Sequence, residues 1–484
     1  MGDSLYLRFL NLVAIAPHVP ALQWQSHVFR RQDLENALAN LIDEISESPH
    51  KSVGYWGENH PLGLLLPLAC SALGKTYFPF SPLFSSSTVA DLCKAHDTFL
   101  VNPLHDSRWD SLFLQWSKVR SNGFTYDKAN KIDKVDSTTV RPLIAFQTSG
   151  TTDRPKRVLL PESHILSNID EAIRAQGLQE ADRILLVLSL CHSGGLCIQA
   201  LPGLFSGALL IMHPAFQIPD FLASFRQNND ASSSFPTTTL IVPAYLRQLL
   251  RSNNAELSTL SLARFIGIGS APVTSDALSP FINAGAKFLN IYGLTEAGPV
   301  LATQMIDSAC FDRENDPPIG KVAPTIEWRI DPQTSELWVR GPAVRPSYEE
   351  EHVVTPSLTA DGWFNTRDLV SQDHGVLKFL GRRSFTFNIG GMKVHGERIE
   401  NAIEQLPDIA ACVVNCRQHR IYGEILVATV ERDPSKEPIS KRELLKRLRA
   451  SGTGLAEHEI PREVDFVDSI PRSSIGKKIR ARLS

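Results

Sequence analysis

The 484-residue chain has no CxxC pair among its seven cysteines and no excess of basic residues, and each absence removes a class of function. Without paired cysteine spacings there is neither a disulfide framework nor a zinc cage, so the scattered thiols are expected to be packing groups. Cys412 and Cys416 are spaced like one helical pair, but no second pair completes a metal site. A net charge of −3 gives no electrostatic footprint for nucleic acid. The start, MGDSLYLRFL, lacks a basic region ahead of an apolar one, and Tyr6 stands where a myristoylation signal needs Ser or Thr. A cytoplasmic location is therefore the expectation. A Walker loop is missing, and Gly267-Ile268-Gly269 lacks the third glycine of a dinucleotide fingerprint and runs on towards Pro272.

One absence is local. Residues 184–219 contain no Asp, Glu, Lys or Arg, which raises a membrane-spanning helix. Gly194, Gly195, Pro202, Gly203, Gly207 and Pro214 interrupt that run, together with His192 and His213. Two buried strands, 184–189 and 208–212, joined by a helix starting after Gly195, account for it better, and no membrane span is expected.

What is present is globular: 43% hydrophobic and 21% charged residues, in a chain longer than one core usually organises. Apolar runs at 51–56, 99–101, 239–242 and 288–291 predict strands, and one-faced patterns at 32–45 and 243–251 predict helices. Such alternation implies an α/β domain with largely parallel sheets flanked by helices, whose ligands sit at the carboxyl ends of strands. From Gly381 onward the pattern changes to a helix at 398–404, strands at 411–415 and 425–430, and a basic helix at 441–449. That is a small α+β domain of about a hundred residues. The expected division is 1–380 and 381–484.

The chemistry starts at Thr148-Ser149-Gly150-Thr151-Thr152-Asp153-Arg154-Pro155-Lys156, which leaves the apolar run 143–146. Four hydroxyls around one glycine, closed by a lysine, suit a polyphosphate: backbone N–H groups approach closely, hydroxyls donate, and lysine adds charge. The same composition also makes an ordinary surface turn.

This segment closely resembles the signature loop of the acyl-adenylate-forming superfamily of acyl- and aryl-CoA ligases, peptide-synthetase adenylation domains and luciferases. Further segments resemble that superfamily's motifs in order. Gly267-Ile268-Gly269-Ser270-Ala271-Pro272 is similar to its adenine-contacting stretch, and Tyr292-Gly293-Leu294-Thr295-Glu296 to its Tyr-Gly-x-Thr-Glu motif. Gly362 to Asp368 resembles the ribose motif, Gly381-Arg382 the start of the hinge, and Pro471 to Lys477 the C-terminal catalytic-lysine loop.

The resemblance implies an AMP-binding N-terminal domain, a mobile C-terminal domain, and ATP-dependent activation of a carboxylic acid to acyl-AMP with pyrophosphate release. A carboxylate attacking the α-phosphate meets anion–anion repulsion, so such a site must neutralise charge and align the nucleophile. Lys477 would supply the charge. Glu296 would hold Mg2+, because a hard cation bridging phosphates seeks carboxylate oxygen. Tyr292 would stack on adenine beside Gly269, Ser270, Ala271 and Gly293, while Thr295 would donate to the α-phosphate. Asp368 would accept the ribose hydroxyls, with Arg382 next to it in the nucleotide site. His192, before Ser193-Gly194-Gly195, resembles the position lining the acyl pocket, though a satisfied core histidine fits it equally well. Ser384 marks the hinge.

The acceptor divides the family. Gly390-Gly391 beside Lys393 resembles the loop along which CoA enters in acyl-CoA ligases, and Gly381 to Ser384 resembles succinylbenzoate–CoA ligases. Peptide-synthetase domains carry an aspartate within the stretch that here is 190–195, which has no acid, so a simple carboxylic acid is expected rather than an amino acid. No fused carrier domain is expected, which leaves CoA as co-substrate or a separate phosphopantetheinyl carrier protein. The rival classes are a carrier-loading adenylating enzyme and an inactive nucleotide-binding module. The second gains weight from departures: Asp153, Arg157 and Arg367 stand where the motifs usually carry glycine, and Ser384 where the hinge carries an acid or lysine. If those three positions need positive φ, each non-glycine costs about 1 kcal/mol.

Overall fold

The computed structural model describes residues 4–119, 141–148, 156–226, 235–252, 255–312, 316–344, 347–350, 353–389, 392–419, 423–450, 455–472 and 478. The chain forms two compact units. The first comprises Met1–Thr148, Pro155–Glu327 and Val339–Phe364; the second takes Ser149–Arg154, Trp328–Trp338 and Asn365–Ser484.

Two sheets organise the first unit. In one, Phe288–Tyr292, Phe265–Gly269, Thr238–Ile241, Arg183–Leu186, Leu209–Met212 and Pro20–Trp24 lie side by side and all parallel. Their near-continuous burial is what a sheet covered on both faces requires. The charge-free run of 184–219 resolves as expected into two of these buried strands. The turn between them begins at Gly194 as a π-helix, Gly194–Ala200, before continuing as Leu201–Phe205. No described helix is long and apolar enough to cross a membrane.

In the other sheet, Pro142–Thr148, Thr76–Phe80, Ser52–Trp56 and Thr98–Val101 are parallel. Lys156–Pro161, Ser347–Glu350 and Val353–Pro356 extend it antiparallel. Arg31–Ser46 and Pro61–Leu73 are helices of this unit, and the second is buried along nearly all its length, as its leucine-rich sequence demands. The helix Leu5–Ile15, which the sequence pattern did not single out, is capped by Ser4 and ties in through its Leu5 N–H, which donates to Glu162 at 2.8 Å.

In the helix Glu162–Gln176, His164 is fully buried and neither ring nitrogen finds a hydrogen-bond partner among the described residues. Burial alone lowers its pKa from 6.5 to about 3. Below its ordinary pKa the unfolded chain binds a proton that the folded chain refuses, so this residue makes stability fall on acidification through that window. The slope approaches 1.4 kcal/mol per pH unit at about 25 °C. The loss of unfolding free energy between pH 7 and pH 5, measured in urea, is expected to shrink in His164→Leu.

The second unit is α+β. Gly423–Arg432 pairs antiparallel with Ile409–His419 and parallel with Glu463–Val467. The helices Gly396–Glu404 and Lys441–Leu448 close a core of Ile399, Ile403, Val414, Leu426 and Leu444. The strand expected at 411–415 is found within Ile409–His419 and carries both Cys412 and Cys416, since the β-branched run around Val413-Val414 favours extended chain over the helix their spacing alone would suit. The antiparallel pair Phe364–Asp373 and Val376–Arg382 belongs mainly to this unit. Arg367 on its first strand has φ 58°, so the strain expected there is real, whereas Arg157 sits in regular strand and is absent from the positive-φ residues. Asp153 lies outside the described residues.

Candidate functional site

In the first unit the sequence motifs converge on the carboxyl ends of parallel strands. Phe265–Gly269 and Phe288–Tyr292 pair with Gly269 opposite Ile291, so Ser270 and Tyr292 leave the sheet at the same edge. Glycine at both exits is a packing requirement. A Cβ on Gly269 would lie 2.5 Å from the Ile291 carbonyl oxygen, and one on Gly293 would lie 2.2 Å from that of Pro299. Ser270 itself has φ 69°. Ala271 follows it and is exposed.

Beyond Gly293 the chain makes a single 3-10 turn, Thr295–Ala297. The Thr295 and Ser193 hydroxyls lie 2.8 Å apart, which draws the His192 segment to this turn. The added Cβ of Gly194 would meet nothing closer than Leu188 at 3.8 Å and the Ser270 hydroxyl at 3.9 Å. The Gly194 backbone thus lies within van der Waals reach of both side chains. His192 is half-buried, and its N–H donates to the Ser189 carbonyl at 3.2 Å. Asn59 holds the preceding loop by donating to Leu188 O at 3.0 Å and accepting from Leu190 N at 2.9 Å. Nothing in the sequence marks Asn59, which is far from this loop along the chain.

Glu296 is half-buried, and the Tyr348 hydroxyl donates to its Oε1 at 3.2 Å. The strand Lys156–Pro161 packs against the same turn. Thr148 opposes Lys156 in an antiparallel pair. Ser149, Gly150, Thr151 and Thr152 lie outside the described residues, as do the side chains of Thr148 and Lys156. Arg157 pairs with Glu349, and its guanidinium stands 4.8 Å over the Phe78 ring.

In the second unit, Arg382 Nε donates to Asp368 Oδ1 at 2.8 Å, and the aspartate is buried. Ser384 is exposed in the turn Arg383–Phe385, and Lys393 is exposed on Met392–His395. Gly390, Gly391 and Lys477 lie outside the described residues. Their neighbour Lys478 is described. Its ammonium donates to Glu400 at 2.6 Å, Glu404 at 2.7 Å and the Cys412 carbonyl at 2.6 Å.

The family model described as AMP-binding enzyme matches residues 31–349, and its C-terminal-domain counterpart matches 398–477. The chain belongs to the AMP-binding enzyme family. The resemblance carried by the ordered motifs is thereby borne out. Among curated relatives of this AMP-binding enzyme, the indoleacetate–CoA ligase of Aromatoleum aromaticum is 29% identical, over 93% of this chain and 92% of its own. The feruloyl-CoA synthase of an Amycolatopsis species is 24% identical, over 97% and 96%. Among solved structures, the O-succinylbenzoate coenzyme A synthetase of Bacillus subtilis, in complex with ATP and magnesium ion, aligns with a TM-score of 0.78 at 22% identity, over 99% of each chain. That likeness shows the mixed α/β fold, a large sheet domain with a smaller C-terminal one.

Proposed function

We infer that this AMP-binding enzyme carries out the reaction named for its curated relatives. It is an AMP-forming acid–thiol ligase: it activates a carboxylic acid with ATP, releases pyrophosphate, and passes the acyl group to CoA. The observation that carries the site assignment is the convergence of Ser270, Tyr292, Thr295 and Glu296 on one sheet edge beside the His192 segment.

Within that site Tyr292 stacks on adenine beside Gly269, Ser270, Ala271 and Gly293. Thr295 donates to the α-phosphate, and the loop from Thr148 to Lys156 grips the outer phosphates. Magnesium supplies charge neutralisation on the phosphates when bound. Glu296 fits it, since among the described residues its carboxylate accepts one hydrogen bond and makes no ion pair, which leaves oxygen lone pairs for a hard cation. No three His, Cys, Asp or Glu side chains gather as a metal cluster among the described residues, so one carboxylate would share such an ion with phosphate and water. Asp368, oriented by Arg382, takes the ribose hydroxyls. Lys477 supplies the cation for adenylation, the division at Gly381 with Ser384 is the hinge, and Gly390, Gly391 and Lys393 line the CoA approach.

His192 lines the acyl pocket. The relatives named for indoleacetate and ferulate favour an aromatic acid as substrate. The enzyme would work in the cytoplasm, where ATP and CoA are at hand. Acid-dependent pyrophosphate exchange over a panel of aromatic and aliphatic acids, followed by thioester assays with CoA and with a holo-carrier protein, tests this reading. Exchange is expected with aromatic acids and transfer with CoA. Transfer to the carrier alone would make it a carrier-loading enzyme, and no exchange with any acid at saturating ATP and Mg2+ would make it a nucleotide-binding module.

A further inference from the structure

We propose that Tyr348 is a positioning residue that aims the Glu296 carboxylate at a nucleotide-bound divalent cation. The proposal rests on the assignment of Glu296 to that cation. Tyr348 lies on Ser347–Glu350, which runs antiparallel to Lys156–Pro161 with Tyr348 opposite Val158 and Glu349 opposite Arg157. Neighbouring strand residues point to opposite faces of a sheet, so these two side chains do different work.

On one face the Tyr348 hydroxyl donates to Glu296 Oε1 at 3.2 Å. A glutamate on a single 3-10 turn has several rotamers to lose, and no described side chain besides Tyr348 bonds its carboxylate. One donor fixes one oxygen and leaves the other to ligate. Such outer partners orient a ligating carboxylate and govern the affinity of the ion it holds.

On the other face, the carboxylate of Glu349 pairs with the guanidinium of Arg157, their side chains 14% and 12% exposed. A one-residue slip of this strand would turn Tyr348 away from Glu296 and part Glu349 from Arg157 at once. The buried ion pair therefore pins the register that the Tyr348–Glu296 bond needs. Arg157 is also the first strand residue after Lys156, so one strand joins the nucleotide loop to the carboxylate's support.

Tyr348→Phe removes the donor and keeps the ring. Calorimetric titration of ATP into the full chain, with and without Mg2+, reads the effect directly. Affinity for ATP without Mg2+ is expected to stay at the parent value, while the gain on adding Mg2+ falls on the order of tenfold. The Mg2+ concentration giving half-maximal pyrophosphate exchange should rise by the same factor. Glu296→Gln is run alongside. If Glu296→Gln loses the Mg2+-dependent gain and Tyr348→Phe keeps it, the positioning role is overturned and the assignment of Glu296 stands. If Glu296→Gln also keeps it, both fall. A lowered melting temperature with unchanged Mg2+ dependence in Tyr348→Phe marks a merely structural contact and likewise overturns the proposal.

Discussion

Replacing Lys477 with alanine is expected to lower acid-dependent pyrophosphate exchange by on the order of 10²–10³-fold, the usual cost of removing one preorganised charge-stabilising group. The two half-reactions differ in what they ask of a cation. In adenylation a carboxylate must approach an anionic phosphate, and an ammonium between them offsets the repulsion as the new bond forms. In thioester formation the CoA sulfur attacks the acyl carbonyl, gives up its proton and expels AMP, so no carboxylate has to be driven against a phosphate. Thioester formation from supplied acyl-AMP should therefore fall far less in Lys477→Ala. Equal losses in the two assays would contradict the assignment.

The neighbouring lysine should respond in the opposite sense. Lys478→Met is expected to destabilise the second unit by about 3–5 kcal/mol, because it removes one partner of a buried charge cluster. The Glu400 and Glu404 side chains are 2% and 6% exposed, and among the described residues Lys478 pairs with both. Each carboxylate also accepts a backbone N–H of Ile409–His419, from Val414 at 3.1 Å and from Cys412 at 2.9 Å, so neither can turn to water without breaking the strand's attachment to the helix. Urea unfolding of the full chain, followed by a probe in the second unit, measures this. A shift below about 1 kcal/mol would show that the two glutamates find other partners. A backbone bridge joins Lys478 to Arg472, whose guanidinium pairs with Glu431 at 2.8 Å. Adjacent lysines are thus assigned different tasks, one chemical and one architectural, and the two assays separate them.

The parts of this molecule legible in the sequence are those where local chemistry dictates local backbone. The helix Pro243–Arg251 and the strand Phe288–Tyr292 fall where apolar periodicity puts them, within a residue. Gly269 and Gly293 stand out in their motifs because the backbone of another segment passes too close for a Cβ. Contacts that depend on strand register left no mark. Arg157 read as a misplaced residue in a glycine position, and only its pairing with Glu349, 192 positions away, explains the charge. Tyr348 stood in no recognised segment, since its link to Glu296 joins residues 52 apart through the pairing of separate strands. Cys412 and Cys416 show the limit of spacing alone: an interval of four suits a helix face, yet in a strand it also returns to the same face. The β-branched neighbours decided between them.

The stem formed by Pro142–Thr148 and Lys156–Pro161 has a consequence for how this chain can change over generations. Because Thr148 and Lys156 are paired across it, changing the number of residues between them alters closure entropy by little, about 0.6 kcal/mol per doubling of that number. The length of that connection is therefore open to change at small cost to folding, whereas the paired strands on either side, whose register also places Arg157, are not.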